Sequence, residues 1–585
     1  MLGGVPHVSV RQTAVYFPAA RPARCVMALA ALAWLSCSSN ASACYALIAG
    51  SGATADGSVL VGHNEQNSGR RTLNFRCVAP RSFRRRCFYC LRRGKHRTRR
   101  DACNSLLRKE RGGCPPQVDR TAGMLWSQSP GVEFSDGYLN EHGVAITSNS
   151  CPSREDDYET LVARGEIRAG GIGHMLRRLV ARQARNARHG VELAAQLIEH
   201  LGYRGSGRTY VIADPREAWL LAVVRGRRWA AQRVPDDAVV LLPNVYVLDT
   251  LDLDDEDCFR ASPDLVSYAV ERGWYDPSGG APFRFWQVYG APQPNPVDPR
   301  QRLGQQLITR DGSVWPDDQR LPLTVRPDRP LTVADVWQVL RCDADFAPLW
   351  TSALLMRSAL PMIVPRPREP WIPADKAGIR TELRSLTAPA SIMAPADQRK
   401  AGKTGLPRPT YGRCPARGSF AMEASISTAL TQEGAVFQLR GSLPPAIGCV
   451  YWRATAEPAT SVFTPWYLGI DQTPTSYSRA LDWPTGAAEP LGQSAWWTFK
   501  SLQDAVRQDS PVRLPQVQPT WQAMEQSMLA EQPALDAEAL RLWNQDSAAA
   551  RAFLTRHCAE LAEKAMAEAR CMTARFGDSC PGTQT

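Results

Sequence analysis

Short apolar runs that alternate with polar residues fill the first part of the chain after residue 43. The runs "YALIAG" and "SVLVGHNE" predict two strands, and Asp56-Gly57 between them is a strong hairpin signal. Further along, "GMLWSQ" and "GVAITSNS" predict two more strands with the turn "NEHG" between them. The amino-terminal part of the chain therefore begins as antiparallel sheet.

The period of the apolar positions changes in the middle of the chain. Over residues 171–202 they recur every three to four residues and stop at Gly202, which predicts one or two amphipathic helices. Four strand-like runs follow, and the polar turns between them predict an antiparallel meander: "RTYVIAD", "AWLLAVV", "RWAAQRV" and "VVLLPNVYVL". The alternation of strand and helix patterns indicates an α+β protein.

The second half of the chain divides into three stretches. Residues 343–425 carry eleven prolines and little periodicity, so they are a poor candidate for core structure. Strand patterning returns within 426–493, and residues 494–575 are rich in helix-forming residues. We therefore expect a core over 44–342 that the late strands complete, followed by a helical region, with helix–sheet–sheet–helix layering.

The first 43 residues resemble an export leader. Arg21 and Arg24 precede the apolar run 26–37, which has the length of a signal-peptide core and is too short to span a bilayer. Small residues in Ala41-Ser42-Ala43 predict cleavage by signal peptidase just before Cys44. We expect a secreted or periplasmic protein without a membrane span. Lipid attachment at Cys44 is an alternative, although the preceding residues fit it poorly.

Charge is concentrated in one short segment of this 585-residue chain. The net charge is +12, yet residues 76–120 alone carry fifteen Lys and Arg against three acidic residues, and the bulk of the chain is mildly acidic. Nucleic-acid binding by this arginine-rich segment is an alternative that we disfavour. Zinc binding is a second alternative, through one set of four cysteines with a single CxxC pair: Cys87, Cys90, Cys103 and Cys114. True insertions and local frame errors in the gene would both explain the unusual composition of residues 76–120 and 343–425.

Cleavage before Cys44 would give one residue both a thiol and a free α-amine. Their reference pKa values are about 8.5 and about 7.7–8.0, so the amine can accept the thiol proton near neutral pH. The thiolate can then attack a carbonyl without a separate histidine, and the amine can return the proton to the leaving nitrogen.

The stretch "CYALIAGSGATADGSVLVGHNEQ" resembles the amino terminus of the cysteine dipeptidases in the N-terminal-nucleophile hydrolase superfamily. Several later blocks are similar to that family in the same order, and together they cover roughly three-fifths of the chain. The resemblance implies a four-layer αββα fold, with Cys44 as the nucleophile and its amine as the base. It also matches Asn244 and, more weakly, Asn149 to the residues that bind the oxyanion.

The chain departs from the family at "HNEQ", where relatives carry an "RNED"-like element. His63 replaces an arginine that lies near the sulfur, and Gln66 replaces an aspartate that orients the amino terminus. Imidazole could supply part of the missing positive field, and Glu65 could replace the missing carboxylate. His63 is therefore included among the candidate catalytic residues.

The resemblance implies hydrolysis of a dipeptide through a thioester on Cys44, with no metal or organic cofactor. Two alternatives use the same fold: an amidase acting on a small N-acyl substrate of the bile-salt or penicillin V type, and a catalytically impaired binding protein. The partners expected are a dipeptide or small amide and signal peptidase.

Overall fold

A computed structural model of the protein describes residues 44–66, 72–82, 118–129, 137–292, 297–309, 320–343, 424–478 and 494–577. The leader, most of the basic segment with the four cysteines proposed as zinc ligands, and residues 344–423 lie outside this range. Within the described residues, no helix is both long and apolar enough to cross a membrane.

The described residues form seventeen strands. They are β1 Tyr45–Ala49, β2 Val59–Gln66, β3 Asn74–Val78, β4 Arg81–Ser82, β5 Arg120–Thr121, β6 Met124–Gln128, β7 Tyr138–Asn140, β8 Ala145–Ser150, β9 Tyr203–Ala213, β10 Ala218–Gly226, β11 Trp229–Arg233, β12 Val239–Leu242, β13 Phe259–Ala261, β14 Thr324–Val325, β15 Thr431–Leu439, β16 Cys449–Thr455 and β17 Phe463–Tyr467.

Twelve α-helices accompany these strands in the described part of the chain. They are α1 Tyr158–Ala163, α2 Met175–Ala181, α3 Ala187–Leu201, α4 Leu265–Glu271, α5 Phe285–Tyr289, α6 Pro299–Ile308, α7 Val333–Arg341, α8 Pro445–Gly448, α9 Thr475–Ser478, α10 Ala495–Gln508, α11 Ser510–Gln545 and α12 Ser547–Gly577.

The predicted first hairpin lies in the middle of a seven-stranded sheet with the order β14-β12-β1-β2-β15-β16-β17. Asp56 Oδ1 accepts hydrogen bonds from the backbone N–H and the hydroxyl of Ser58, and Gly57 has a φ of 72°. A left-handed residue after a local Asp turn suits a tight reversal, so the hairpin prediction is confirmed. The late strands continue the same sheet, because β15 pairs with β2.

The other main sheet has eight strands in the order β13-β11-β10-β9-β8-β7-β6-β3. The predicted helix pair is α2 and α3, which pack on β7–β10 through a large apolar cluster. The prediction of a four-strand meander was wrong in one respect. Of the four strands, β9, β10 and β11 are neighbours in the eight-stranded sheet, whereas β12 belongs to the seven-stranded sheet and pairs with β1. A fully apolar strand such as "VVLL" does not encode which sheet it joins.

Helix α7 packs against β2 and β15 of the seven-stranded sheet. Gly62 on β2 makes this approach possible, because a Cβ there would lie 2.6 Å from Val336 Cγ1. The mixture of helix and sheet agrees with the predicted α+β class.

Three long helices close the chain over the residues that the sequence predicts to be helical. Ion pairs with buried carboxylates join the first two of them, α10 and α11, to the sheet side of the molecule, and we call these pairs the C-terminal clamp. Its members are Arg341 with Glu525, Arg440 with Asp536, and Arg507 with both Glu457 and Asp343. Glu525 also accepts a hydrogen bond from the Phe463 backbone N–H at 2.8 Å, so α11 is joined to β17 directly.

The chain on the two sides of residues 344–423 is hydrogen-bonded together. The carbonyl of Cys342 accepts from the backbone N–H groups of Ile426 at 2.9 Å and Ser427 at 2.8 Å. The hydroxyl of Ser425 donates to Asp343 Oδ1 at 2.9 Å. We call this junction the seam.

Candidate active site

Cys44 precedes the first strand of the central hairpin and is 7% exposed. Tyr45 pairs with Asn64, and continuing that register by one residue brings Cys44 level with Glu65. The thiol donates a long hydrogen bond to the Gln66 carbonyl, with 3.7 Å between Sγ and O. Burial, and then the charge of Glu65, raise the pKa of the thiol to about 11 despite the opposing effects of the Gln66 carbonyl, Arg208 and Arg177.

His63 and Glu65 lie two residues apart on β2, so their side chains share one face of the sheet with that of Cys44. A ring nitrogen of His63, a carboxylate oxygen of Glu65 and Cys44 Sγ all lie within 4.8 Å of one another, and all three residues are buried. Thiol, imidazole and carboxylate are all metal ligands as well as catalytic groups.

The surroundings of His63 favour the neutral imidazole. Burial, followed by the nearby charge of Arg177, lowers its pKa to about 3. His63 is therefore a poor source of positive charge beside the sulfur, and its catalytic role stays a prediction.

The positive charge near Cys44 comes instead from Arg177 on α2 and Arg208 on β9, both buried. Both donate to the hydroxyl of Ser148, at 2.7 Å from Arg177 Nη1 and 3.0 Å from Arg208 Nη1. Burial and the proximity of Arg208 lower the pKa of Arg177 to about 10. Neither arginine is predicted from the sequence, because an arginine in an amphipathic helix or at a strand end ordinarily indicates an exposed position.

Asn244 is connected to Cys44 through Arg300, a residue of α6 that the sequence also leaves unpredicted. Arg300 Nη1 donates to the Cys44 carbonyl at 3.2 Å, and its Nη2 donates to Asn244 Oδ1 at 3.1 Å. Asp298, which caps α6, holds the guanidinium at 2.7 Å. Asn244 Nδ2 donates to the Ser150 carbonyl at 3.0 Å. One guanidinium thus holds both the backbone of Cys44, the predicted nucleophile, and Asn244, the predicted oxyanion residue.

Asn149 is buried on β8 and uses its amide group to hold the end of β12. Its Nδ2 donates to the carbonyls of Leu242 at 2.9 Å and Pro243 at 3.3 Å. These residues directly precede Asn244, so the two asparagines predicted from sequence are neighbours at the point where β12 ends.

Gln66, the last residue of β2, is hydrogen-bonded to the seam. Its Nε2 donates to the Ile426 carbonyl at 2.8 Å and to Thr431 Oγ1 at 3.0 Å. Asn64 likewise donates to the carbonyls of Leu340 at 2.8 Å and Ile426 at 3.0 Å. The carboxylate close to the sulfur is therefore that of Glu65.

A buried thiol at the start of a central strand, surrounded by amide and guanidinium groups, fits the chemistry of a peptidase, and the comparisons with known proteins agree with this class. The model of "Peptidase family C69" matches residues 43–346 and 407–522. The chain therefore belongs to peptidase family C69, and the prediction of a cysteine dipeptidase relative is confirmed at this level.

The curated relatives carry dipeptidase names. A "Probable dipeptidase" of Salmonella dublin is 25% identical over 459 residues, which cover 76% of this chain and 86% of that protein. A "Probable dipeptidase B" of Streptococcus pyogenes serotype M1 is 21% identical over 446 residues, with 76% and 77% covered.

One solved structure found by comparison is a mutant of the conjugated bile acid hydrolase from Clostridium perfringens. It is 10% identical and has a TM-score of 0.24, with 70% of this chain and 89% of that chain covered. Penicillin V acylase from Agrobacterium tumefaciens is 11% identical with a TM-score of 0.22, and the shares covered are 32% and 49%. These low TM-scores carry no argument about the present site.

Proposed function

We propose that the protein is an exported cysteine dipeptidase that hydrolyses the amide bond of a dipeptide through a thioester on Cys44. Membership of a peptidase family with dipeptidase relatives supports the reaction type. The observation that carries the assignment of residues is the bridge by which Arg300 joins the Cys44 carbonyl to Asn244. It fixes a nucleophile and an amide donor relative to each other, as acyl transfer requires.

Removal of residues 1–43 creates the base in this proposal. In the uncut chain the thiol has a pKa of about 11 and the adjacent imidazole is neutral with a pKa of about 3, so thiolate is scarce at neutral pH. A free α-amine on Cys44 would accept the thiol proton as the sulfur attacks the substrate carbonyl. The same amine would protonate the departing amine and then activate the water that hydrolyses the thioester.

Asn244 is the residue we assign to the oxyanion. Its amide group has one hydrogen bonded to Ser150, which leaves a second hydrogen for a substrate oxygen. The amide group of Asn149 donates to two carbonyls and so has no such hydrogen left. We therefore assign Asn149 the role of positioning the Leu242–Asn244 segment.

Glu65 takes the place of the aspartate that is absent at Gln66. Its carboxylate lies within 4.8 Å of Cys44 Sγ, close enough to attract the ammonium group formed on the same residue. Arg177 and Arg208 provide the positive field for the thiolate that His63 does not provide. These substitutions would allow "HNEQ" to replace the family's charged pair.

The same proposal includes a four-layer αββα arrangement of the core and export of the protein from the cytoplasm. The two main sheets, with α2 and α3 on one and α7 on the other, support a four-layer αββα arrangement. The leader supports export to the periplasm or the medium, with signal peptidase cutting before Cys44.

Two measurements on the exported protein test this function. Amino-terminal sequencing should give Cys44 with a free amine, and a start elsewhere or a blocked amine would remove the base. A panel of dipeptides and N-acyl amino acids should give turnover of dipeptides that iodoacetamide abolishes. Turnover of N-acyl substrates alone would favour the amidase alternative, and no turnover by correctly processed protein would favour the binding-protein alternative.

A further inference from the structure

The cluster of Cys44, His63 and Glu65 includes a histidine that the proposed hydrolysis does not use. Thiolate, imidazole and carboxylate are three ligand types of Zn²⁺, and the three donor atoms here lie within 4.8 Å of one another. Donors about 2.0–2.3 Å from a tetrahedral ion are roughly 3.3–3.8 Å apart. A closure of about 1 Å, within reach of small side-chain rotations, would complete the set.

His63 has a buried ring nitrogen that is available to bind a metal ion. It is 2% exposed, and its Nε2 makes no hydrogen bond to any residue that the structure describes. Leaving such an atom buried without a partner has a cost that a metal bond would remove.

Cleavage before Cys44 would add a fourth ligand, the α-amine, on the same residue as the thiolate. If the chain starts at Cys44, as the proposed function requires, the α-amine and the thiolate of this residue form a five-membered chelate ring with the ion. The set then becomes two nitrogens, one sulfur and one oxygen, which is the number that closed tetrahedral zinc sites use.

Zn²⁺ with the Cys44 thiolate and the Glu65 carboxylate is a neutral centre. The bound ion would therefore add no net positive charge beside Arg177 and Arg208. Binding releases the thiol proton to solvent, and this makes the affinity rise with pH.

We propose that the mature protein binds one Zn²⁺ through the α-amine and thiolate of Cys44, His63 and Glu65, and that the bound ion inhibits the enzyme by occupying the nucleophile. The inference rests on the proposed processing at Cys44. The residue that separates the metal site from the proposed hydrolysis is His63, which the hydrolysis does not use.

The test is a zinc titration of the full-length mature protein against a chromogenic chelator. We expect one Zn²⁺ per chain, a loss of affinity of roughly a hundredfold or more in His63→Asn and Glu65→Gln, and unchanged binding in His200→Asn, which alters an exposed histidine on α3. Co²⁺ should give thiolate-to-metal charge-transfer absorption that disappears in Cys44→Ser. Thermal melts of each variant check that it is folded.

Absence of zinc uptake by the mature protein would overturn the proposal, as would one bound ion that persists in both His63→Asn and Cys44→Ser. The outcomes separate the two proposals. Dipeptide turnover without zinc binding retains the function and rejects the metal site, whereas zinc binding at these residues without any turnover does the reverse. Zn²⁺ should inhibit the unaltered protein in a way that a chelator reverses, and the same Zn²⁺ concentration should leave the turnover of folded His63→Asn unchanged; equal inhibition of both would overturn the link.

Discussion

The site around Cys44 and the C-terminal clamp both bury charged side chains, but they pair those charges differently. In the clamp each guanidinium meets a carboxylate, as Arg341 meets Glu525. At the site, Arg177 and Arg208 converge on the neutral hydroxyl of Ser148, and His63 keeps a ring nitrogen without a hydrogen-bond partner among the described residues. Fully paired buried groups specify structure, whereas a buried polar atom without a partner retains the capacity to bind a ligand or a proton.

Removing the sulfur should give the largest effect, and only at the site. We expect Cys44→Ser to lower dipeptide turnover by roughly 10⁴-fold or more, because the nucleophile is lost, while the melting temperature changes little. Steady-state kinetics and calorimetry measure the two quantities. Cys571→Ser, at an exposed position on α12, is the control and should retain full activity. Full activity in Cys44→Ser would contradict the assignment of the nucleophile.

Removing a carboxylate of the clamp should lower stability and leave activity unchanged, the reverse of the result expected for Cys44→Ser. Glu525→Gln leaves the Arg341 guanidinium buried without its carboxylate, so we expect a loss of about 3–5 kcal/mol in the free energy of unfolding. Specific activity of the molecules that remain folded should be unchanged. Denaturant unfolding measures the loss.

The matched control for the clamp lies on the same helix. Glu538 pairs with Arg541 on the exposed side of α11, so Glu538→Gln should leave the free energy of unfolding almost unchanged. Equal losses in Glu525→Gln and Glu538→Gln would show that burial of the pair is irrelevant.

Arg300 tests how far the site depends on positioning. Arg300→Lys keeps the charge but cannot reach both the Cys44 carbonyl and Asn244, so we expect kcat to fall by roughly a hundredfold with a smaller change in KM. Arg326→Lys, at an exposed pair with Asp237, is the control. A change confined to KM would indicate that Arg300 binds substrate and does not position the nucleophile.

The smallest expected effect is a difference in how pH acts on stability in the two regions. The pKa of His63 falls from 6.5 to about 3 on folding, because of burial and then Arg177, so its contribution is present above pH 6.5 and is lost as the pH falls toward 3. The pKa of Glu457 rises from 4.5 to about 7, because burial outweighs the attraction of Arg507, so its contribution is present below pH 4.5 and is lost as the pH rises toward 7.

Unfolding free energies of His63→Asn and Glu457→Gln across pH 3–8 measure both contributions. Each variant should remove a slope of at most about 1.4 kcal/mol per pH unit, and the two slopes have opposite signs. Slopes of the same sign would contradict one of the two pKa directions.

Local periodicity predicted most of the fold. The hairpin of β1 and β2, the pair α2–α3, the late strands and the terminal helices all follow from patterns that are local in the sequence. The departure of β12 to the other sheet was missed because the strand is apolar on both faces and its partner β1 lies at the other end of the core sequence, where Ala49 pairs with Val239. Pairing over such a distance is determined by the whole fold.

The site was predicted less completely for the same reason. Cys44 and Asn244 carry motif signals, but Arg300 reaches Cys44 from 256 positions away and has no local pattern. Arg177 sits on the apolar side of α2, where a charged residue indicates a polar partner within the core. An arginine at an otherwise apolar helix position was the signal available in the sequence.

The seam has a consequence for how the chain tolerates added residues. Cys342 and Ile426 lie on the two sides of residues 344–423 in the sequence, and their backbones are hydrogen-bonded to each other. The two ends of this segment are therefore held close together by the core. Closing such a gap requires only a short connection, and lengthening it adds only a logarithmic entropy cost. Adding residues at this position should therefore cost the core little, which makes it a suitable place to insert a reporter or an affinity module.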